Sequence, residues 1–241
     1  MRPIAAFLRL SAPRANARAI RHCPSEAEPP CSWVRGGASL ALVLTLLTGV
    51  QALAQVAPGL RDPNTMTEAE LAMLPNYSAA VAKATVAARP FLSIADFDKF
   101  LGAQGLNPEQ RTGVYNRAFV HLNLNTASEA EIMLIPNVGK RMAHEFEEYR
   151  PWKAWAQFDK EIGKYVDARE VARLKQYTFI PLRLNTASEA DFMTIPGVGK
   201  RMAHEFEEYR PWKTQAQFQK EIGKYVDEKE VARLWRYMTI D

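Results

Sequence analysis

The stretch Leu184-Asn-Thr-Ala-Ser-Glu-Ala-Asp-Phe-Met-Thr-Ile-Pro-Gly-Val-Gly-Lys-Arg-Met-Ala203 reads as a short helix, a tight turn and the start of a second helix. A near-copy begins sixty residues upstream. There Thr126-Ala-Ser-Glu129 has the form of a capping box, in which the hydroxyl accepts from the N3 amide and the glutamate reaches back. The helix that follows ends near Ile135, because a proline at 136 disfavours helical backbone in the residue before it. Asn137-Val138-Gly139 makes the turn, and a new helix starts at Lys140 with Val138, Met142, Phe146 and Tyr149 as its apolar stripe.

Outward from this stretch the chain repeats. Asn125 to Ile180 and Asn185 to Ile240 align without a gap and differ at 13 of 56 positions. A third, more divergent copy lies upstream at a spacing of 61. Asn64-Thr-Met-Thr-Glu-Ala-Glu-Leu-Ala-Met-Leu-Pro-Asn76 parallels the segment from Asn125, and Arg89-Pro-Phe parallels Arg150-Pro-Trp. Within the second copy Pro151 stops the second helix and a third runs roughly from Ala154 to Ile162. Gly163 breaks the chain, and Asp167-Ala-Arg-Glu170 opens a fourth helix, again as a capping box.

The expected fold class is therefore all-α: tandem units of about sixty residues, each with four short helices and no alternating strand pattern. The expected divisions are 55–121, 122–181 and 182–241. Cores of this size are marginal alone. The linkers Val120-His-Leu-Asn-Leu-Asn125 and Ile180-Pro-Leu-Arg-Leu-Asn185 are short, apolar and free of glycine, which points to a rod of packed units.

Residues 1–54 are different in kind. They hold six Arg, no Lys, two acidic residues, both cysteines and the apolar run from Ala38 to Val50. With Arg35 before that run and Ala52-Leu53-Ala54 after it, the segment reads as an export signal cut before Gln55. A membrane anchor, the competing reading and the chain's one expected route to a membrane, needs about 20 apolar residues. Val34-Arg-Gly-Gly makes a conventional start if Val34 is the initiator, so residues 1–33 are read as a start-site artefact. The expected location is periplasmic or secreted. Removing the leader leaves 31 − 6 = 25 basic and 27 − 2 = 25 acidic residues, and no thiol. A neutral total gives no general attraction to polyanions, so any nucleic-acid binding must come from local geometry.

The segment from Leu184 to Ala203 resembles the helix-hairpin-helix domain of the ComEA family, exported bacterial competence proteins that bind incoming double-stranded DNA. The resemblance rests on Leu-Asn-Thr-Ala-Ser followed by Pro-Gly-Val-Gly. It covers the first half of the second and third copies, and the second half only in length and helix placement. It implies paired helix-hairpin-helix units that hold the DNA backbone without reading bases. In the family the second half carries another Gly-hydrophobic-Gly hairpin, whereas here Gly163-Lys-Tyr-Val-Asp167 and Gly223-Lys-Tyr-Val-Asp227 lack the second glycine. A similar pattern with degenerate hairpins looks like the extrinsic twelve-kilodalton subunit of photosystem II, which serves a protein surface. The first copy leans that way, with Pro75-Asn-Tyr-Ser78.

Glycine permits positive φ and close approach, so Pro-Gly-Val-Gly-Lys can aim consecutive amides at one phosphate in front of a helix N-terminus. Gly197, Val198 and Gly199 are the expected amide donors in the third copy, with Lys200 and Arg201 supplying charge. Asn137, Val138, Gly139, Lys140 and Arg141 are their counterparts in the second. The alternative is that the hairpins are only turns and the partner is an envelope protein held by the repeated helical faces. Glu145, Glu147 and Glu148 weigh that way, since carboxylates near phosphate repel it. His144 with Glu148 lacks a second histidine for a metal site. Trp152, Tyr149 and Phe158 read as core. No nucleophile, base and orienter recur at suitable spacing, so neither an enzyme nor a cofactor is expected.

Overall fold

The computed structural model describes residues 59–240. The leader, its cut after Ala54 and both cysteines lie outside the described residues. What is described is helix-dominated and repeats one plan three times. The first copy contains α1 (Glu68–Ala72), α2 (Ala79–Ala88), α3 (Ile94–Ala103) and α4 (Pro108–Tyr115). The second contains β1 (Leu122–Asn123), α5 (Glu129–Ile132), α6 (Lys140–Glu148), α7 (Trp155–Ile162), α8 (Ala168–Lys175) and β2 (Thr178–Phe179). The third repeats it as β3 (Leu182–Arg183), α9 (Glu189–Phe192), α10 (Lys200–Glu208), α11 (Gln215–Ile222), α12 (Glu228–Trp235) and β4 (Met238–Thr239). No helix of the described residues is long and apolar enough to cross a membrane.

Nine of the twelve described helices start where a side chain accepts from one of the first amides, and α6, α7 and α10 start without one. Ser128, not Thr126, caps α5, taking the Glu131 amide while the Glu131 carboxylate returns to the Ser128 amide. Thr126 instead sits in a preceding turn, its amide bonded to the Asn123 carbonyl. Thr67 with Glu70 and Ser188 with Asp191 form the same box in the other copies. Asp167 caps α8 through the Glu170 amide at 2.8 Å, but Glu170 turns away to hold Arg173, so this is half a box.

The strands are a feature the repeat pattern did not reveal. The apolar linkers pair in parallel with the end of their own copy: β1 with β2, β3 with β4, and Arg61 with Ala118 as a single bridge. Two residues are too few to produce an alternation in sequence, yet they close each copy on itself. Behind each closure a partly buried clamp ties the opening loop to the residue after a proline. The Asn125 amide group gives to the Trp152 carbonyl at 3.0 Å and takes its N–H at 2.6 Å, and Asn185 does the same with Trp212. Arg150 then donates to the Leu124 and Ala127 carbonyls, as Arg210 does to Leu184 and Ala187. The Arg-Pro bonds at 89–90, 150–151 and 210–211 are cis.

Trp152 and Phe158 are fully buried as expected, with Phe146 beside them, whereas Tyr149 is only half-buried and packs against the core's edge; Trp212, Phe206 and Phe218 match the buried three. The apolar core runs unbroken through the first two copies, where Phe119 meets Tyr177 edge-on at 5.0 Å. The third copy has its own core and joins the others through Phe179 on Tyr237 at 4.4 Å and a polar cluster. In that cluster Asp62 of the first copy accepts from Tyr237 of the third at 3.2 Å, and Arg236 donates to the His121 carbonyl at 2.8 Å. The first and third copies thus touch directly. A rod would keep them apart, so the three copies close around a shared junction instead.

Identical sequences cannot occupy non-equivalent places equally well. Five of the positions at which the second copy differs from the third, Trp155, Lys175, Gln176, Thr178 and Phe179, line a cavity of about 360 Å³ at this junction.

Candidate nucleic-acid interface

Three hairpins connect the first two helices of each copy, and each needs one residue with positive φ. Asn76 (60°), Asn137 (65°) and Gly197 (81°) take that place, so asparagine substitutes for glycine as its tolerance of left-handed backbone allows. The next residue faces inward. The Val138 and Val198 side chains are buried, and their amides are already bonded to the Ile135 and Ile195 carbonyls at 3.0 Å. This corrects the expectation that the valines donate outward: the turn that buries the side chain also spends its N–H.

The free donors lie one step further on. Gly139 and Gly199 begin α6 and α10 with no side-chain cap. The amides of Gly139, Lys140 and Arg141, and of Gly199, Lys200 and Arg201, meet no acceptor among the described residues. These are the first N–H groups of helices nine residues long, where the partial positive charge of the helix dipole also gathers. Lys140, Arg141, Lys200 and Arg201 are exposed around them.

Neither of these glycines is needed for the fold. Gly139 has φ −108° and Gly199 has φ −100°, values open to any residue, and nothing lies within 4 Å of where a Cβ would stand on either. The first copy uses serine here, and the Ser78 hydroxyl accepts from the Val81 amide at 3.2 Å. It plugs its own helix end, whereas the two later copies leave theirs open.

The acidic residues divide. Glu147 pairs with Arg150 at 3.5 Å, and Glu148 with His144 at 3.5 Å when the imidazole is charged. Among the described residues no cluster of metal-ligating side chains forms. Glu145 and Glu205 are buried beside the hairpins, not solvated a turn away. Each borders a small cavity: about 210 Å³ lined by Gly139, Arg141, Met142, Glu145 and Tyr165, and about 250 Å³ lined by the matching residues of the third copy. The Tyr165 hydroxyl lies 3.0 Å from that of Tyr149, and bonding to Tyr149 and then to Glu145 raises its pKa above the ordinary value. For Tyr225 the same rise comes first from Glu205 and then from Tyr209. Lys164 sits 5.0 Å above the Tyr149 ring and Arg141 5.9 Å from that of Tyr165.

Sequence reasoning missed the tyrosines and the buried glutamates as parts of the hairpin environment. Tyr165 is 24 positions beyond Arg141, and only the exact recurrence of Gly-Lys-Tyr-Val at 163 and 223 hinted at a role. No protein-family model matches this chain, and no curated protein or solved structure matches it.

Proposed function

We propose that this chain is an exported, sequence-independent double-stranded DNA-binding protein built from tandem helix-hairpin-helix units. Its second and third hairpins hold backbone phosphates through main-chain amides. One observation carries the reading: Gly139 and Gly199 stand where neither backbone geometry nor packing asks for glycine, and each leaves a helix N-terminus uncapped beside two exposed cations. Absence of a side chain is what lets a phosphate oxygen come within bonding distance of consecutive amides. The donors assigned to phosphate are the amides of Gly139, Lys140 and Arg141 and of Gly199, Lys200 and Arg201. Asn137 and Gly197 shape the turn, and Val138 and Val198 anchor it.

Two such sites on one molecule would act together on one duplex, offsetting weak single contacts. The first copy, whose hairpin is capped by Ser78, serves as packing support. The leader would carry the protein out of the cytoplasm, where DNA uptake is one role for such a grip.

The test is an anisotropy titration of the purified protein with duplex DNA at several salt concentrations. Alongside it runs a variant carrying Lys140→Ala, Arg141→Ala, Lys200→Ala and Arg201→Ala. Binding that weakens with salt, and a variant with both lower affinity and a shallower salt slope, are expected. Equal affinity for both proteins, or a flat titration beside stoichiometric capture of an envelope protein, would favour the scaffold reading instead.

A further inference from the structure

The cavity of about 360 Å³ at the junction of the three copies has the size and the walls of a small-molecule site. Such sites run from roughly 300 to 1,000 Å³ and are mostly apolar, with a few polar groups that fix orientation. Here Trp155, Phe179, Leu182, Ile195 and Pro196 supply apolar wall from the second and third copies. Trp155 remains 37% exposed, whereas Trp152 and Trp212 are buried. An aromatic face left open beside aliphatic side chains favours an apolar body over water.

The charged groups of the lining are of one sign. Among the described residues His121 and Lys175 line the cavity, and no aspartate or glutamate does. The His121 ring has Nδ1 sealed 3.7 Å from Asp62 Oδ2, and its Nε2 bonds to no described residue. Lys175 pairs with Asp159 and stands 5.5 Å above the Trp155 ring, which fixes a positive charge over that wall. The near-identical copies part here. Trp155, Lys175 and Phe179 answer to Gln215, Trp235 and Thr239, and Thr194 is exposed where Leu134 packs against the core. The pairing of an open tryptophan with a lysine therefore exists once, at the junction.

We propose that this cavity binds a small apolar carboxylate. Its hydrocarbon body lies against Trp155, Phe179 and Ile195, and its carboxylate accepts from His121 Nε2 and faces the Lys175 ammonium. Charge complementarity selects the anion. A cation meets no carboxylate in the lining, and an uncharged hydrocarbon covers the His121 N–H without giving it an acceptor. Burial of the body drives binding, and the head group chooses among bodies. The site uses none of the hairpin amides, so it stands whether or not these hold phosphate.

Isothermal titration calorimetry of the purified protein with octanoate, 1-octanol and acetate separates body from charge. Octanoate is expected to bind as a single molecule per chain, roughly tenfold tighter than octanol, with no measurable heat from acetate. Lys175→Met keeps the length and removes the charge, and should cut the preference for octanoate by about threefold while leaving octanol binding unchanged. Thr194→Trp fills the cavity from an exposed position on its wall and should abolish octanoate binding. Equal affinity for octanoate and octanol would overturn the proposal, as would a flat octanoate titration or octanoate binding that survives Thr194→Trp in a folded protein. If circular dichroism shows either variant unfolded, Trp155→Ala, which removes one wall, replaces it, and unchanged octanoate affinity there also refutes the site.

Discussion

The two glycines of the third hairpin have opposite jobs, and substitution separates them. Gly197 has φ 81°, and a Cβ there would stand 3.0 Å from Thr65 Cγ2 and 3.3 Å from Arg233 Nη2. Gly197→Ala is therefore expected to destabilise the protein by about 1 kcal/mol or more, seen as a lower Tm. Gly199→Ala meets nothing and needs no unusual backbone, so its Tm should move by less than about 1 kcal/mol equivalent while duplex affinity falls. A Gly199→Ala protein that binds DNA as well as wild type would detach the glycine from phosphate. The first glycine's role was legible in sequence, because asparagine in its place at 137 and 76 pointed to left-handed backbone. The engagement of the valine amides was not, since it depends on the turn folding back on the preceding isoleucine.

At the scale of the element, the clamp between each opening loop and the residue after the cis proline holds a copy closed. Asn185→Ala removes both bonds to the Trp212 backbone and leaves a partly buried N–H and C=O unpaired. It is expected to cost about 2 kcal/mol in denaturant unfolding, well above the fraction of a kcal/mol typical of an exposed asparagine. A loss under about 0.5 kcal/mol would mean that water replaces the clamp. Helix positions were readable to within three residues from prolines, glycines and capping pairs, because those signals are local; the widest miss is α5, expected to end near Ile135 and ending at Ile132. The capping box was placed two residues early, since Thr126 and Ser128 both precede a glutamate three positions on. The clamp spans 27 residues, and only the recurrence of Asn64, Asn125 and Asn185 at matching offsets could have drawn attention to it.

For the whole molecule, docking of the third copy passes through one buried carboxylate. Burial alone would raise the pKa of Asp62. The His121 imidazole 3.7 Å away, the hydrogen bond from the Asn64 amide and the charge of Arg233 outweigh it and hold the group below its ordinary 3.8. An aspartate whose folded pKa is depressed stabilises the fold above its unfolded value and loses that contribution as pH falls through the folded one. Tm should drop progressively below pH 3.8, and Asp62→Asn should be less stable at neutral pH with a shallower acid limb. Parallel acid limbs for the two proteins would remove Asp62 from the junction's energetics. None of this was visible as motif. The linkers' apolar character announced close packing but not its direction, which the Tyr237–Asp62 bond sets across 175 residues and the strand pairs across 56.

The most direct measurement gives the later hairpins the plug that the first already has. Gly139→Ser with Gly199→Ser places a hydroxyl where Ser78 stands, and should raise stability by about a few tenths of a kcal/mol per site. Titrated with duplex DNA at low salt, this variant should bind at least about tenfold more weakly than wild type while melting no earlier, because its own side chains now occupy the amides. Unchanged affinity in a protein that melts as well as wild type would contradict the claim that those amides hold phosphate.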